Sequence, residues 1–517
     1  MSLLRPESFS STFPSEAATE SIIPNLTIPK PLSDIQSRTV RNISYIGAAQ
    51  LIVLALTLFM VAVLTRLLTP EDFGIVSIGM IFMALFSTVQ DFGIAPAVIQ
   101  RDSRVEESIS VGLTLRLIIA GILVATLVFV SPSLADFYGN KAIAPVLIVM
   151  SANLFIQPLA FPSYVMLNRT LRFSCMAIGS MAQYAVTAVV AISLALAGFS
   201  YWSIVLGSLA GSVCYVAVVN HYGRVLRGPR IDVKLMKELL GFGSHLLIVG
   251  LMVYVIFNVD QMVVGKVFGT VVLGIYFVAV KFGRTLGEQI SGTANKVLFP
   301  TMARMKDELE RLKVGYVQSL RMIAIVAVPL TMGMAALAPL FVGVVLGKDF
   351  REAALPIAIL SFQGLLNALI PPAANVLIAT GRPKYMSSQS TVQAALMVVL
   401  IYPVALHFNI EGVCYLTTLL SLGVFIYFLV VFSRIFKAGF VEISKPIVPA
   451  LVSGLVTLVA LSVGATYLPE TLLSLVEASL IGAALYLVCL HIASRGRDVR
   501  DFLGLVRQSF VRGPNGG

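Results

Sequence analysis

Past residue 42 the chain consists almost entirely of apolar stretches about 20 residues long, the length a helix needs to span about 30 Å of hydrocarbon. About fourteen can be placed, centred near Leu54, Met83, Gly121, Ala152, Val186, Leu209, Met252, Ala279, Met332, Leu365, Met397, Phe425, Leu455 and Leu480. Inside lipid every backbone polar group must be bonded within the chain, so only helices or closed barrels can cross. The runs are continuous and lack the alternation of barrel strands, which excludes a barrel. With 57% hydrophobic and only 12% charged residues, the composition lies far from that of soluble domains, where about 25% are charged.

Lysine and arginine set the expected orientation. With the amino terminus in the cytoplasm, Arg66, Lys141, Lys266, Lys348 and Arg351 are the cations left outside, while the segments 224–237 and 296–313 concentrate positive charge within. Both termini are then cytoplasmic. The net charge of +11 is accounted for by inner loops facing anionic headgroups, so no nucleic-acid partner is called for. Residues 1–40, rich in Ser and Pro and lacking a signal-peptide core, read as a disordered cytoplasmic tail, and 496–517 as a second cytoplasmic tail. Cys175, Cys214, Cys414 and Cys489 lie in or beside apolar segments without metal-ligand spacing. No disulfide, metal site or cofactor is expected.

The chain is duplicated. V-L-T-R-L-L-T-P-E-D-F-G-I, Val63 to Ile75, returns as V-V-G-K-V-F-G-T-V-V-L-G-I, Val263 to Ile275, each copy following a long apolar run. Leu115-Arg116 matches Leu320-Arg321, Ser151 with Pro162 matches Ser361 with Pro372, and Thr170 with Arg172 matches Thr380 with Arg382. An even number of helices per copy makes both halves enter from the same side, related by an axis along the membrane normal. The expected fold is an all-α polytopic membrane protein of about 14 transmembrane helices, two pseudo-symmetric six-helix lobes plus two extra C-terminal helices. The lobes are placed at 41–235 and 236–440, and helices 13–14 at 441–495. Such repeats are common in transporters, with the substrate site between the halves.

Asn258, Asp260, Val263, Gly265, Gly269, Leu273, Gly274, Tyr276 and Ala279 form a pattern that resembles the signature of polysaccharide flippases within the multidrug/oligosaccharidyl-lipid/polysaccharide exporter superfamily. The first copy, R-L-L-T-P-E-D-F-G from Arg66 to Gly74, is similar to theirs too. The likeness covers residues 40 to about 440. It implies a multi-pass bacterial inner-membrane protein moving an undecaprenyl-diphosphate-linked oligosaccharide, an exopolysaccharide or lipopolysaccharide repeat unit, from the cytoplasmic to the periplasmic leaflet by alternating access. Its partners would be that polyprenyl-diphosphate-linked oligosaccharide and membrane lipids, with a polysaccharide polymerase and a chain-length regulator as further candidates. A cation-coupled multidrug exporter of the same superfamily is the main alternative. A membrane polymerase or glycosyltransferase is disfavoured, because every expected outer loop is short.

A diphosphate crossing hydrocarbon needs a polar, cationic path, which directs attention to charges inside helices. Lys281, Arg284 and Glu288 fall within a sector of about 60° on an ideal helix, with Arg284 about 18 Å below the outer surface. Two readings stand: a phosphate contact by the excess cation, or an internal pair of Glu288 with Lys281 or Arg284. Arg116 and Arg321, equivalent in the repeats, either join the cationic cavity or snorkel to headgroups. Asp260 and Asp91, with Glu288, are candidates for ion coupling or charge pairing, the coupling ion being left open. Gln90, Gln289, Asn153, Gln157, Gln363 and Asn367 are candidate sugar contacts or interhelical bonds, the pair Asn153 and Gln157 being expected to face Gln363 and Asn367. Pro158 and Pro162, matched by Pro371 and Pro372, are candidate hinges.

Overall fold

A computed structural model describes residues 32–225, 227–290, 292, 302, 308–496, 498 and 500. Compactness separates Met1–Ser44 from Tyr45–Gly517. Of the first unit, residues 32–44 are helical, so regular backbone begins inside the stretch assigned to the tail. Residues 1–31 and 501–517, and most of the basic segment 296–313, lie outside the described residues.

The described residues contain helices and no strand. In chain order they are α1 (Leu32–Leu64), α2 (Pro70–Ile99), α3 (Val105–Tyr138), α4 (Ile143–Arg169), α5 (Phe173–Leu196) and α6 (Trp202–Gly223), followed by α7 (Val233–Phe282), α8 (Leu309–Leu346), α9 (Lys348–Ala379), α10 (Lys384–Ile435), α11 (Phe440–Ala465) and α12 (Leu472–Ala493). Eleven helical runs are long and apolar enough to cross a membrane. The difference from about fourteen has identifiable causes: the apolar part of α1, Ala49–Leu64, is a shorter segment, and α7 and α10 each contain an interior reversal. In α7 the reversal is Gly269 (φ 82°, ψ 179°), and in α10 it is Asn409 (φ 56°, ψ −163°).

Distances prove the reversals. In a straight helix Asp260 and Arg284 would lie about 36 Å apart at 1.5 Å per residue, yet their side chains meet at 3.0 Å. Tyr427 Oη likewise donates to the Tyr385 carbonyl at 3.2 Å. The first copy of the repeat turns through residues 65–69, and Thr69 then caps α2 by accepting from the Asp72 N–H while the Asp72 carboxylate accepts from the Thr69 N–H. The second copy reverses on Gly269 alone, since only glycine adopts that backbone without strain.

The two copies pack on each other. A methyl group at Gly74 would sit 1.8 Å from the Thr270 carbonyl oxygen, and one at Gly274 would sit 1.8 Å from that of Pro70. At the opposite end a methyl at Gly243 would sit 1.8 Å from the Phe92 carbonyl oxygen, so α2 lies against the first limb of α7 along its length. Between the lobes on that side Arg104 pairs with Asp232 at 3.0 Å, and Asp232 accepts the Leu235 N–H as the cap of α7. The backbone bond, then the guanidinium, hold the Asp232 carboxyl below the usual range.

Candidate functional site

The second limb of α7 and its continuation to residue 290 separate two cavities, and their charges do not share one face. The helix is interrupted at Gly283, and Thr285 Oγ1 bonds back five residues to the Val280 carbonyl. Across this interruption Lys281 lines the first-lobe cavity while Arg284 turns to Asp260 in the second lobe. The one-face arrangement expected for the three is corrected for Lys281 alone; Arg284 and Glu288 share a face and form the internal pair that was one of the two expected readings.

Lys281 lines a cavity of about 350 Å³ enclosed mainly by α1, α2, α4, α5 and α6. Its ammonium lies 5.1 Å from the Phe277 ring centroid, and no carboxylate pairs with it among the described residues. Every other described lining residue is uncharged. Met60, Met80, Met83 and Met150 form an apolar wall, while Gln90, Asn153, Gln157 and Gln183 supply amides. Asn153 Oδ1 is buried without a hydrogen-bond partner. Gln90 is buried and donates to the Leu154 carbonyl.

Arg284 is buried in the second lobe. Its guanidinium donates to Asp260 Oδ2 at 3.0 Å and to the Phe257 carbonyl at 3.1 Å, and approaches Glu288 at 3.4 Å. Asp260, fully buried, also accepts from Tyr276 Oη at 2.8 Å, and its other oxygen has no partner. The charge count of this cluster is therefore one cation against two carboxylates, opposite in sign to the excess expected before Asp260 was placed beside it. Glu288, partly exposed, accepts from Asn367 at 3.2 Å and faces a second cavity of about 360 Å³. Gln363, Asn367, Gln389, Gln393 and Ser421 also line that cavity. Gln363 donates to the Thr417 carbonyl, leaving its own oxygen buried and unpartnered. The close approach of backbones that builds this corner needs Gly287 and Gly364, since a methyl on Gly287 would meet the Gly364 carbonyl oxygen at 1.9 Å.

The remaining candidates go elsewhere. Asn153 and Gln157 do not face Gln363 and Asn367; each pair lines the cavity of its own lobe, because the repeats bend their fourth helices inward separately. Arg116 meets Asp91 at 3.1 Å, with its guanidinium 5.1 Å from the Phe161 ring centre. Arg321 is paired with Asp498, which follows α12. Gln289 is half-buried and not among the residues lining the second cavity. Pro158 sits in a tight 3₁₀ turn, Gln157–Ala160, and Pro162 in the first turn of Phe161–Arg169. Pro371 and Pro372 open Pro371–Ala379 after a break at Ile370. The positions are those prolines tolerate, since a first-turn N–H has no helical partner to lose. Sequence reasoning missed Gln183, Gln389, Gln393 and the bond from Tyr276. Gln389 and Gln393, one helical turn apart with Ser387, Ser388, Ser390 and Thr391 around them, carried a readable signal.

Helices long and apolar enough to cross a membrane, arranged as two related lobes with a polar cavity in each, define a two-lobed polytopic membrane protein. The polysaccharide biosynthesis protein family matches residues 63–355, and the chain belongs to it. The chain is 26% identical over 357 residues to the lipopolysaccharide biosynthesis protein WzxC of Escherichia coli (strain K12), covering 67% of this chain and 71% of that one. It is 23% identical over 483 residues to the succinoglycan biosynthesis transport protein ExoT of Rhizobium meliloti (strain 1021), covering 92% and 97%. Among solved structures, the lipid II flippase MurJ in an inward closed conformation superposes with a TM-score of 0.69 at 15% identity, over 87% of this chain and 98% of that one. That likeness gives the fold.

Proposed function

We propose that this protein is a flippase in a bacterial inner membrane, both termini cytoplasmic, moving a polyprenyl-diphosphate-linked oligosaccharide between leaflets by alternating access. The observation that carries the reading is Lys281, the one charged group among the described residues lining the first-lobe cavity, contributed by a helix of the other lobe. An unpaired ammonium in a neutral polar chamber attracts an anionic headgroup, and a diphosphate is the anion that a lipid-linked sugar carries. The amides of Gln90, Asn153 and Gln157 offer donors and acceptors to sugar hydroxyls, while the polyprenyl tail stays in lipid. Because Lys281 reaches across from the second lobe, movement of the lobes moves the cation relative to the chamber. The family membership and the relatives named for polysaccharide biosynthesis and transport support the same reading.

The second cavity takes a different part. Glu288 shares one guanidinium with Asp260, so its charge is only partly matched, and we assign it the uptake of a proton or monovalent cation that drives the cycle. Arg284 is then the fixed charge that holds both carboxylates.

The test is complementation of a deletion strain. Lys281→Ala should leave protein in the membrane at normal amounts yet accumulate lipid-linked oligosaccharide as the empty strain does, with Lys281→Arg retaining part of the activity. Wild-type export by Lys281→Ala would overturn the assignment. A deletion that changes drug susceptibility without precursor accumulation would instead support the multidrug exporter.

A further inference from the structure

Arg66 and Lys266 occupy the same place in the two copies of the repeat, and both belong to the few cations that charge sorting leaves on the outer side. Each reaches out of its own lobe. Arg66, at the end of α1, donates from Nε to the Val345 carbonyl at 2.9 Å and from its terminal nitrogen to the carbonyls of Gly343 and Val344. Those carbonyls end α8, where the last turn widens over Val342–Leu346 and stops at Gly347 (φ 103°). Lys266, at the end of the first limb of α7, donates to the Phe137 carbonyl at 2.7 Å and lies 4.0 Å from the Phe137 ring centre. Phe137 is in the last turn of α3, which stops at Gly139 (φ 72°).

α3 and α8 are equivalent in the duplication, so the two contacts are mirror statements of one design. The last carbonyls of a helix have no intrahelical donor and carry the negative end of its dipole. A cation from the opposite lobe satisfies both needs. The contacts flank the place where Gly74 meets Thr270 and Gly274 meets Pro70.

We propose that Arg66 and Lys266 form a two-point latch that holds the outer ends of the lobes together, and that both contacts must open for the chamber to face outward. The latch draws on backbone carbonyls and one aromatic ring, so it is independent of which residues the substrate touches. Two weak, exposed contacts acting together give a closure that is firm yet releasable, which a single buried ion pair would not provide.

The proposal rests on alternating access but not on the identity of the substrate, and labelling separates the two. With Cys175, Cys214, Cys414 and Cys489 replaced, a single cysteine at Met83 on the chamber wall is exposed in intact cells to a thiol reagent that cannot cross the membrane. Arg66→Ala combined with Lys266→Ala should raise its labelling from outside by roughly fivefold, each single change less. Arg66→Lys should stay near the starting level, which separates loss of the latch from general damage. Unchanged labelling in the double variant, with protein present at normal amounts, overturns the latch. Equal increases in the double variant and in a distant surface variant such as Lys437→Ala overturn it as well. Either failure leaves the transport reading to be judged by the complementation assay.

Discussion

Asp260 and Arg284 show how far one buried pair governs the chemistry around it. With Tyr276 Oη and the Phe257 carbonyl they satisfy most of a charged core, so removing one partner strands the other. Asp260→Asn should therefore cost about 3–5 kcal/mol, read as a fall in thermal stability in detergent. Replacing both, as Asp260→Asn with Arg284→Met, should recover much of that loss; a double variant no better than the single would mean the pair is not the source of the stability. Tyr276→Phe removes one hydrogen bond and should cost about 1 kcal/mol in the same assay. The sequence made each of these groups visible as an intramembrane charge but not their partners. Arg284 lies 24 positions from Asp260, and helix geometry alone would set them far apart. The unseen factor was the tight reversal on Gly269, which lays the second limb of α7 back along the first.

At the scale of helices, legibility followed the length of the apolar run. The stretches that became α2 to α6 stood out because polar turns divide them, whereas α7 and α10 reverse on a single residue and so read as helix on both sides. Gly269 was visible as part of a motif, but the positive φ it supplies was not. The close contacts of the repeat copies were also hidden, since glycine is only an absence of side chain until its neighbour is known. Gly274→Ala would place a methyl 1.8 Å from the Pro70 carbonyl oxygen and should destabilise by about 1–3 kcal/mol. Gly333→Ala, in α8 with no neighbouring atom within 4 Å of the new methyl, should be neutral or stabilising. Thermal unfolding of the two purified variants side by side checks the contrast; equal shifts would mean the packing at Gly274 is looser than its geometry.

For the whole molecule, charge sorting and the two-lobed plan lead to a definite sidedness. A single cysteine at Tyr467, which is 85% exposed between α11 and α12, should react with an impermeant reagent from outside intact cells, and one at Lys384 only after lysis. The reverse pattern would invert the orientation and place the Arg66 and Lys266 contacts on the cytoplasmic face. Duplication was legible from the matching letters of Val63 to Ile75 and Val263 to Ile275, yet the consequence of its symmetry was not. Gly74 touches Thr270 as Gly274 touches Pro70, a reciprocity characteristic of an isologous interface between identical subunits. Such an interface is what joining the two copies of a homodimer end to end would leave. In such a dimer every functional group occurs twice. Joining releases the halves from sameness: Ile81 and Ala84 stand where Lys281 and Arg284 stand in the second half, and an asymmetric molecule can offer an asymmetric cargo a single cation.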